Sequence, residues 1–400
     1  MHVLLLTHYY PPELGAAPAR IAALAHGLAE RGLDVTVHTG FPNYPSGKIA
    51  APYRNRPLRV EREGPLRIVR SAVYPAPNRG FARRVANHGV FAAGAILTCP
   101  AAGPVDVVVA ETPPLFTAGA GVAYARAKGA ALAVNVSDLW PESAIELGAL
   151  GDGRAAAAAQ ALARVCYRHA GLITAPTRGI LERLSDRPEA RGKLAHVPPA
   201  VDLERFAAIS ERPPRAGGPL RVLYAGTLGI AQGVGVLLQA AALAGPEVVQ
   251  VAIAGDGPDA PQLRGQAEAL ANVELLGPVP PSEIVALYEG VDAAVVPLRD
   301  LPIFRGALPT KLFEALAAGR PVIVAARGEA AELVEEAGAG VAVSPENPRA
   351  LAEAFVALRD TPRLTLEMGR RARLRAGAFD RAGAVGRWCE LLRNLEASRR

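Results

Sequence analysis

Short runs of Val, Leu and Ile recur at 3–6, 34–39, 68–69, 105–110, 131–136 and 172–175, each followed by a longer stretch with helical spacing. The runs are continuously apolar instead of alternating, which predicts strands buried on both faces, as in a parallel sheet covered by helices. The same rhythm restarts at 220–225 and continues through 248–254, 273–276, 293–296, 322–325 and 341–343. Between the two series, 210–219 is rich in Pro, Gly and charge, which suits a solvated linker and puts the boundary at 205–219. After Pro362 the pattern is helical to the end, with Trp388, Leu391, Leu392 and Leu395 forming one stripe. The expectation is an α/β chain of two doubly wound, Rossmann-like domains, 1–205 and 206–380, with a helix at 381–400 that returns to the N-terminal domain. Open α/β sheets bind ligands at the carboxyl ends of their strands, so two such sheets across a cleft would surround one ligand with post-strand loops.

Composition narrows the function. Half of the 400 residues are hydrophobic and 20% are charged, with no repeat or low-complexity tract. Three scattered cysteines, Cys99, Cys166 and Cys389, build neither a zinc cluster nor a disulfide framework. No targeting segment and no membrane span are expected, since Pro11 and Pro12 end the first apolar run and Pro100 and Pro104 interrupt the longest. The net charge of +6 is uneven, +8 in 1–200 against −2 in 201–400. Most of the excess lies in Lys48, Arg54, Arg56, Arg59, Arg62, Arg67, Arg70, Arg79, Arg83 and Arg84, opposed only by Glu61 and Glu63. With Phe81, Val85, Val90 and Phe91 nearby, this stretch suggests contact with an anionic membrane, or else simply an arginine-rich solvated surface. No nucleic-acid recognition motif accompanies the charge.

Three loops of the second half carry chemistry. Gly226-Thr227-Leu228-Gly229-Ile230-Ala231-Gln232-Gly233 follows a strand and precedes a helix, where glycines let backbone N–H groups approach a phosphate. Gly255-Asp256-Gly257-Pro258-Asp259-Ala260 satisfies GxGxxA with Glu274 beyond it, but it follows the second strand of its domain, whereas a dinucleotide fingerprint follows the first. In Leu308-Pro309-Thr310-Lys311-Leu312-Phe313-Glu314, a helix starts at Pro309 and Thr310, and Gly319 stops it. Glu314 lies one turn into that helix, where a carboxylate can accept hydrogen bonds from the vicinal hydroxyls of a ribose. Taken alone, Glu314 and Lys311 read more readily as surface helix residues, and it is the context that changes this.

Taken together, these segments resemble glycosyltransferase family 4, retaining enzymes of the GT-B fold, over essentially the full length. Tyr10-Pro11-Pro12-Glu13-Leu14-Gly15-Ala16 resembles the family's first-strand loop, and Glu314 with Ala317-Ala318-Gly319-Arg320-Pro321-Val322 resembles the second half of its E-x7-E signature. Pro42-Asn43-Tyr44-Pro45, Glu111-Thr112-Pro113-Pro114 and Asp138-Leu139-Trp140-Pro141-Glu142-Ser143 are similar to the N-acetyl-L-fucosamine transferases of surface-polysaccharide assembly. The chain departs from the family at Gly306, where a first glutamate is usual, and at Thr227 and Gln232, where an Arg and a Lys usually meet the donor diphosphate.

The resemblance implies transfer of a sugar, an N-acetylated or deoxy hexose such as L-FucNAc or GlcNAc, from a UDP-sugar to a polyprenyl-diphosphate-linked saccharide. It further implies retention of configuration and a cytoplasmic site of action, peripheral to the inner face of the plasma membrane. Glu314, Gly15, Gly226, Thr227, Gly255, Gly257, Leu308 and Pro309 are then expected on the donor nucleotide. Lys311 and Arg305 replace the missing cations, and Asp138 is the candidate to orient or deprotonate the acceptor hydroxyl or, equally, an N-cap. Glu111, His8 and Asn43 are candidates for the acceptor side, although Glu111 could merely start a loop and His8 reads more readily as a packed or solvated loop residue. No cofactor and no metal are expected, since no paired carboxylates stand ready for a hard cation. Two other classes share the architecture: a sugar-nucleotide epimerase, which would consume donor without acceptor, and a non-catalytic nucleotide-sugar-binding protein.

Overall fold

The computed structural model describes residues 1–13, 15–44, 46–76, 81–148, 150–151, 153–211, 213–214 and 217–399. Leu14 and Pro45 of the motifs, Arg79 and the Phe81 side chain of the basic stretch, and Arg212, Arg215 and Ala216 of the expected linker lie outside the described residues. The chain forms two compact units, Met1–Pro198 with Ala382–Arg400, and Pro199–Arg381.

The first unit is built on β1 (His2–Leu6), β2 (Asp34–Gly40), β3 (Leu58–Glu63), β4 (Leu66–Ser71), β5 (Val107–Thr112), β6 (Ala131–Val136), β7 (Leu172–Ala175) and β8 (Leu194–His196). Their order is β3-β4-β2-β1-β5-β6-β7-β8, parallel throughout except for β3, which runs antiparallel along β4. Neither β3 nor β8 shows in the apolar pattern. β3 is an edge strand with almost every side chain exposed, and β8 has three residues.

The second unit carries β9 (Leu220–Ala225), β10 (Val249–Ala254), β11 (Val273–Gly277), β12 (Ala293–Pro297), β13 (Val322–Ala325) and β14 (Gly340–Val343), all parallel, in the order β11-β10-β9-β12-β13-β14. Alternate residues of β9 enter different cores: Leu223 and Ala225 join Leu312, Phe313 and Leu316, while Val222 and Tyr224 join Leu237, Leu351 and Phe355. Both faces are covered by helices, so both must be apolar, which explains the unbroken runs. Strand order reverses between β1 and β5 in one unit and between β9 and β12 in the other, and each reversal opens a ligand crevice at the carboxyl ends.

The chain changes unit at Pro198–Pro199, ahead of the Pro- and Gly-rich stretch, because Val201, Phe206 and Ile209 pack into the second core. The helix expected to run unbroken from Pro362 is two helices, Pro362–Ala376 and Arg381–Ala397, parted by a turn at Gly377–Phe379. That turn is pinned by Phe379, whose ring is buried and whose carbonyl accepts from the Val201 N–H at 2.9 Å. The last helix buries Val385, Trp388, Cys389 and Leu392 with Ile21, Leu24 and Leu28 of the first unit. Among the described residues no helix is long and apolar enough to cross a membrane.

Helix Ala16–Glu30 and the last helix meet at Gly27, where an added Cβ would stand 2.8 Å from Val385 Cγ2. Helix propensity alone favours Gly27→Ala by about 1 kcal/mol. The branched Val385 side chain has little room to yield, and overpacking costs about 1–3 kcal/mol. Urea denaturation is therefore expected to show Gly27→Ala destabilised by up to about 2 kcal/mol, and the sign to reverse when Val385→Ala is added.

Candidate functional site

In the second unit the helix Thr310–Ala317 begins behind Pro309, an extended N-cap that leaves the first N–H groups of the helix without a side-chain cap. Lys311, in its first turn, is buried, and its Nζ donates to Tyr224 Oη at 2.6 Å while lying over the Tyr224 ring. Gly226, with φ +148°, makes this possible: an added Cβ there would stand 2.8 Å from Lys311 Cε and 2.9 Å from Nζ. Burial, only partly offset by Glu314, brings the Lys311 ammonium down to about 7. The amine thus sits beside the loop after β9, at the point where strand order reverses.

Glu314, one turn further along, is half-buried, and its carboxylate makes no hydrogen bond or ion pair among the described residues. Burial raises its pKa, against the pull of Arg205 and Lys311. Arg205 was not expected here. It lies on the four-residue helix Leu203–Phe206, inside the stretch assigned to the first domain, and its guanidinium donates to the Pro281 carbonyl. Nothing in a four-residue element between two domains signals such a position.

The glycines meet a different constraint from the one expected. The Gly226 N–H donates to Ala254 O at 2.8 Å and the Gly255 N–H to Gly277 O at 2.7 Å, so neither is free for a phosphate; the Gly257 N–H goes to Asp256 Oδ1. An added Cβ at Gly255 would lie 1.8 Å from Gly226 O, and one at Gly257 2.2 Å from Leu228 O. These glycines let the loops after β9 and β10 pack backbone to backbone, which accounts for GxGxxA without a dinucleotide. Thr227 N–H has no partner among the described residues, and Leu308 is half-buried beside Pro309. Arg305 is exposed, in the turn Pro302–Gly306 that packs on Gly328, and no hydrogen bond or ion pair ties it to Lys311 or Glu314.

In the first unit, Glu111 and Asn135 are register partners at the ends of β5 and β6. The buried Glu111 carboxylate accepts from Arg20 at 2.9 Å, from the Ser137 hydroxyl at 3.2 Å and from Asn135 Nδ2, while Thr174 donates to Asn135 Oδ1 at 2.8 Å. Glu111 is therefore a paired, fully engaged carboxylate. Asp138 accepts from Ser143 Oγ at 2.9 Å and from the Leu139 N–H, and burial raises its pKa. It holds its own turn without capping, since the N-cap of helix Glu142–Glu146 is Pro141.

His8, read as an acceptor-side residue, is 2% exposed and packs edge-on against Tyr9, His88 and Phe91. Burial, then His88, pushes its pKa well below the usual range, so the ring is neutral. Buried Asn43 accepts from Asn87 Nδ2 at 2.9 Å, and its backbone N–H donates to Glu13 Oε1 at 2.8 Å, as does that of Tyr44. Glu13 thereby ties the loop after β1 to the loop after β2. Gly15, with φ +134°, is the N-cap of helix Ala16–Glu30.

The basic stretch divides. Arg70 is buried, paired with Glu61 at 2.7 Å and donating to Gly40 O and Pro11 O, and Arg67 holds Ala101 O at 2.7 Å. Phe91 is a core residue. What reaches solvent is Lys48, Arg54, Arg56, Arg59, Arg62, Arg83 and Arg84, together with exposed Leu58, Val60, Val90, Ile96 and Leu97.

Residues 15–200 match the family model "Glycosyl transferase 4-like domain" and residues 219–361 match "Glycosyl transferases group 1". WcaI of Escherichia coli (strain K12), provisionally named a colanic acid biosynthesis glycosyl transferase, is 24% identical over 88% of this chain and 90% of its own. The D-inositol 3-phosphate glycosyltransferase of Corynebacterium glutamicum (strain R) is 30% identical, over 52% of this chain and 53%, about half, of its own. Among solved structures, sucrose-phosphate synthase from Thermosynechococcus elongatus superposes with a TM-score of 0.77 at 17% identity, covering 99% of both chains. Anabaena HepE in complex with UDP-glucose superposes with a TM-score of 0.71 at 16% identity, covering 98% of this chain and 100% of its own. These are GT-B architectures, and with both halves of the chain matched by glycosyltransferase domains, the chain belongs to the group 1 and 4-like glycosyltransferases.

Proposed function

We propose that the chain is a retaining, metal-independent glycosyltransferase that moves a hexose, N-acetylated or deoxy, from a UDP-sugar to a lipid-linked saccharide in surface-polysaccharide assembly. The observation that carries the reading is the pairing of Lys311 and Glu314 on one helix at the strand reversal of the second unit. Glu314 has a carboxylate without a partner among the described residues, suited to the two hydroxyls of a ribose, and Lys311 has an ammonium beside the loop after β9, suited to a diphosphate. Thr227 and Gln232 are neutral, so Lys311 supplies the cation that the loop itself lacks.

In the transfer, the bond from the anomeric carbon to the β-phosphate oxygen breaks and the acceptor oxygen bonds to that carbon on the same face. The hydroxyl proton ends on the departing diphosphate, whose charge Lys311 offsets. The uridine is supported by HepE, solved with UDP and with UDP-glucose. The polysaccharide is supported by the name of WcaI, and retention by the family resemblance. The exposed arginines with exposed Leu58, Val60 and Leu97 support contact with an anionic membrane, where each cation near the surface contributes about 1 kcal/mol.

Glu314→Ala removes two charge-assisted hydrogen bonds, about 2–3 kcal/mol, so calorimetry is expected to show UDP affinity weakened about 30- to 100-fold with the fold retained. Unchanged affinity would refute the ribose role. Turnover is expected to persist in excess chelator, and the chain to sediment with anionic vesicles at low salt but not at high salt. Loss of turnover would remove metal independence from the reading, and failure to sediment would remove the membrane.

A further inference from the structure

At the amino ends of β6 and β7, the opposite end of the first sheet from the loops described above, lies a cavity of about 420 Å³. Its apolar floor includes Val122, Leu132 and Leu395, its walls carry Arg126, His169 and Arg399, and among the described residues no carboxylate lines it. Arg126 Nη2 donates to His169 Nε2, and His169 Nδ1 pairs with Val165 O at 2.9 Å. A guanidinium only donates, so Nε2 is the acceptor here and Nδ1 the donor to Val165 O. Arg126 is therefore held in place by a ring nitrogen, with no carboxylate paired to it among the described residues. The Arg399 guanidinium, 3.6 Å from the Cβ position of Gly129, forms no hydrogen bond or ion pair among the described residues.

Basic residues near helix C-termini often serve only to satisfy the last carbonyls. Here those carbonyls have other partners. Lys193 Nζ donates to Tyr167 O and Arg168 O at the end of helix Arg154–His169. At the end of helix Leu115–Lys128, Ala125 O and Arg126 O accept from the Ala130 and Gly129 N–H groups. Two guanidiniums without a counter-charge among the described residues, over an apolar floor, are what an oxyanion with an apolar body would satisfy, and the planar fork of arginine fits phosphate oxygens.

We propose that this cavity binds a small organic phosphate, its phosphate clasped by Arg126 and Arg399 and its body resting on Val122, Leu132 and Leu395. The site is separate from the donor site and does not rest on the reading of Lys311. The test is calorimetry with phenyl phosphate at low salt, in a Lys311→Met chain so that the donor-side cation cannot contribute. One binding event is expected there, weakened at least tenfold by adding Arg399→Gln and again by Arg126→Gln. Arg399→Gln removes no hydrogen bond or ion pair among the described residues, so its melting temperature should be unchanged, and in the otherwise native chain it should leave UDP affinity untouched. No binding to the Lys311→Met chain, or equal binding after Arg399→Gln, would overturn the proposal. Should Lys311→Met fail to fold, the native chain against its Arg399→Gln variant decides the matter by the same tenfold criterion.

Discussion

The second unit is organised around a buried lysine amine lying on a glycine. Lys311 reaches the end of β9 only because Gly226 has no Cβ, and the glycines at 255 and 257 in turn let the neighbouring loop close over the backbone of 226–228. Burial of an ammonium is costly, and the Tyr224 hydroxyl and ring repay only part of it, which is why the amine sits near neutrality. A protein retains such an arrangement when an incoming anion completes it. The helix that carries Lys311 also carries Glu314, so one rigid element fixes a carboxylate and an amine one turn apart.

The first unit meets a similar demand by other means. Glu111, Asn135 and Thr174 stand side by side across β5, β6 and β7, and with Arg20 and Ser137 they satisfy one another. Such a network, centred on the buried Glu111 carboxylate, rigidifies the carboxyl ends of the strands. Glu13 does the same for the loops after β1 and β2 by accepting three backbone N–H groups, those of Tyr10, Asn43 and Tyr44. The post-strand loops of this unit are held by carboxylates already committed to the protein.

Much of the architecture was legible because burial on both faces of a parallel sheet leaves an unbroken apolar run, and twelve of the fourteen strands among the described residues were expected as such runs, β4 as a short piece and β5 two residues early. β3 was not, since an exposed edge strand has no burial to record. Within the site, Glu314 and Lys311 stood out because their helix starts at a proline and stops at a glycine. The glycines were legible as constrained positions, but sequence could not say that the constraint was a neighbouring backbone instead of a ligand. Glu111 read as open to a ligand because its partner Arg20 lies 91 positions away. Arg205 was invisible, since its importance comes entirely from the tertiary placement of a short helix.

The central claim is that the Lys311 amine is the cation on the donor diphosphate, and proton linkage tests it most directly. In the free protein the amine, with a pKa of about 7, is largely neutral at pH 8. A bound diphosphate favours the charged form, so the complex must take up a proton. UDP titrated at pH 8 in two buffers of different ionisation enthalpy should show uptake approaching one proton, lost in Lys311→Met together with most of the affinity. Binding without proton uptake, or the same uptake in Lys311→Met, would contradict the account.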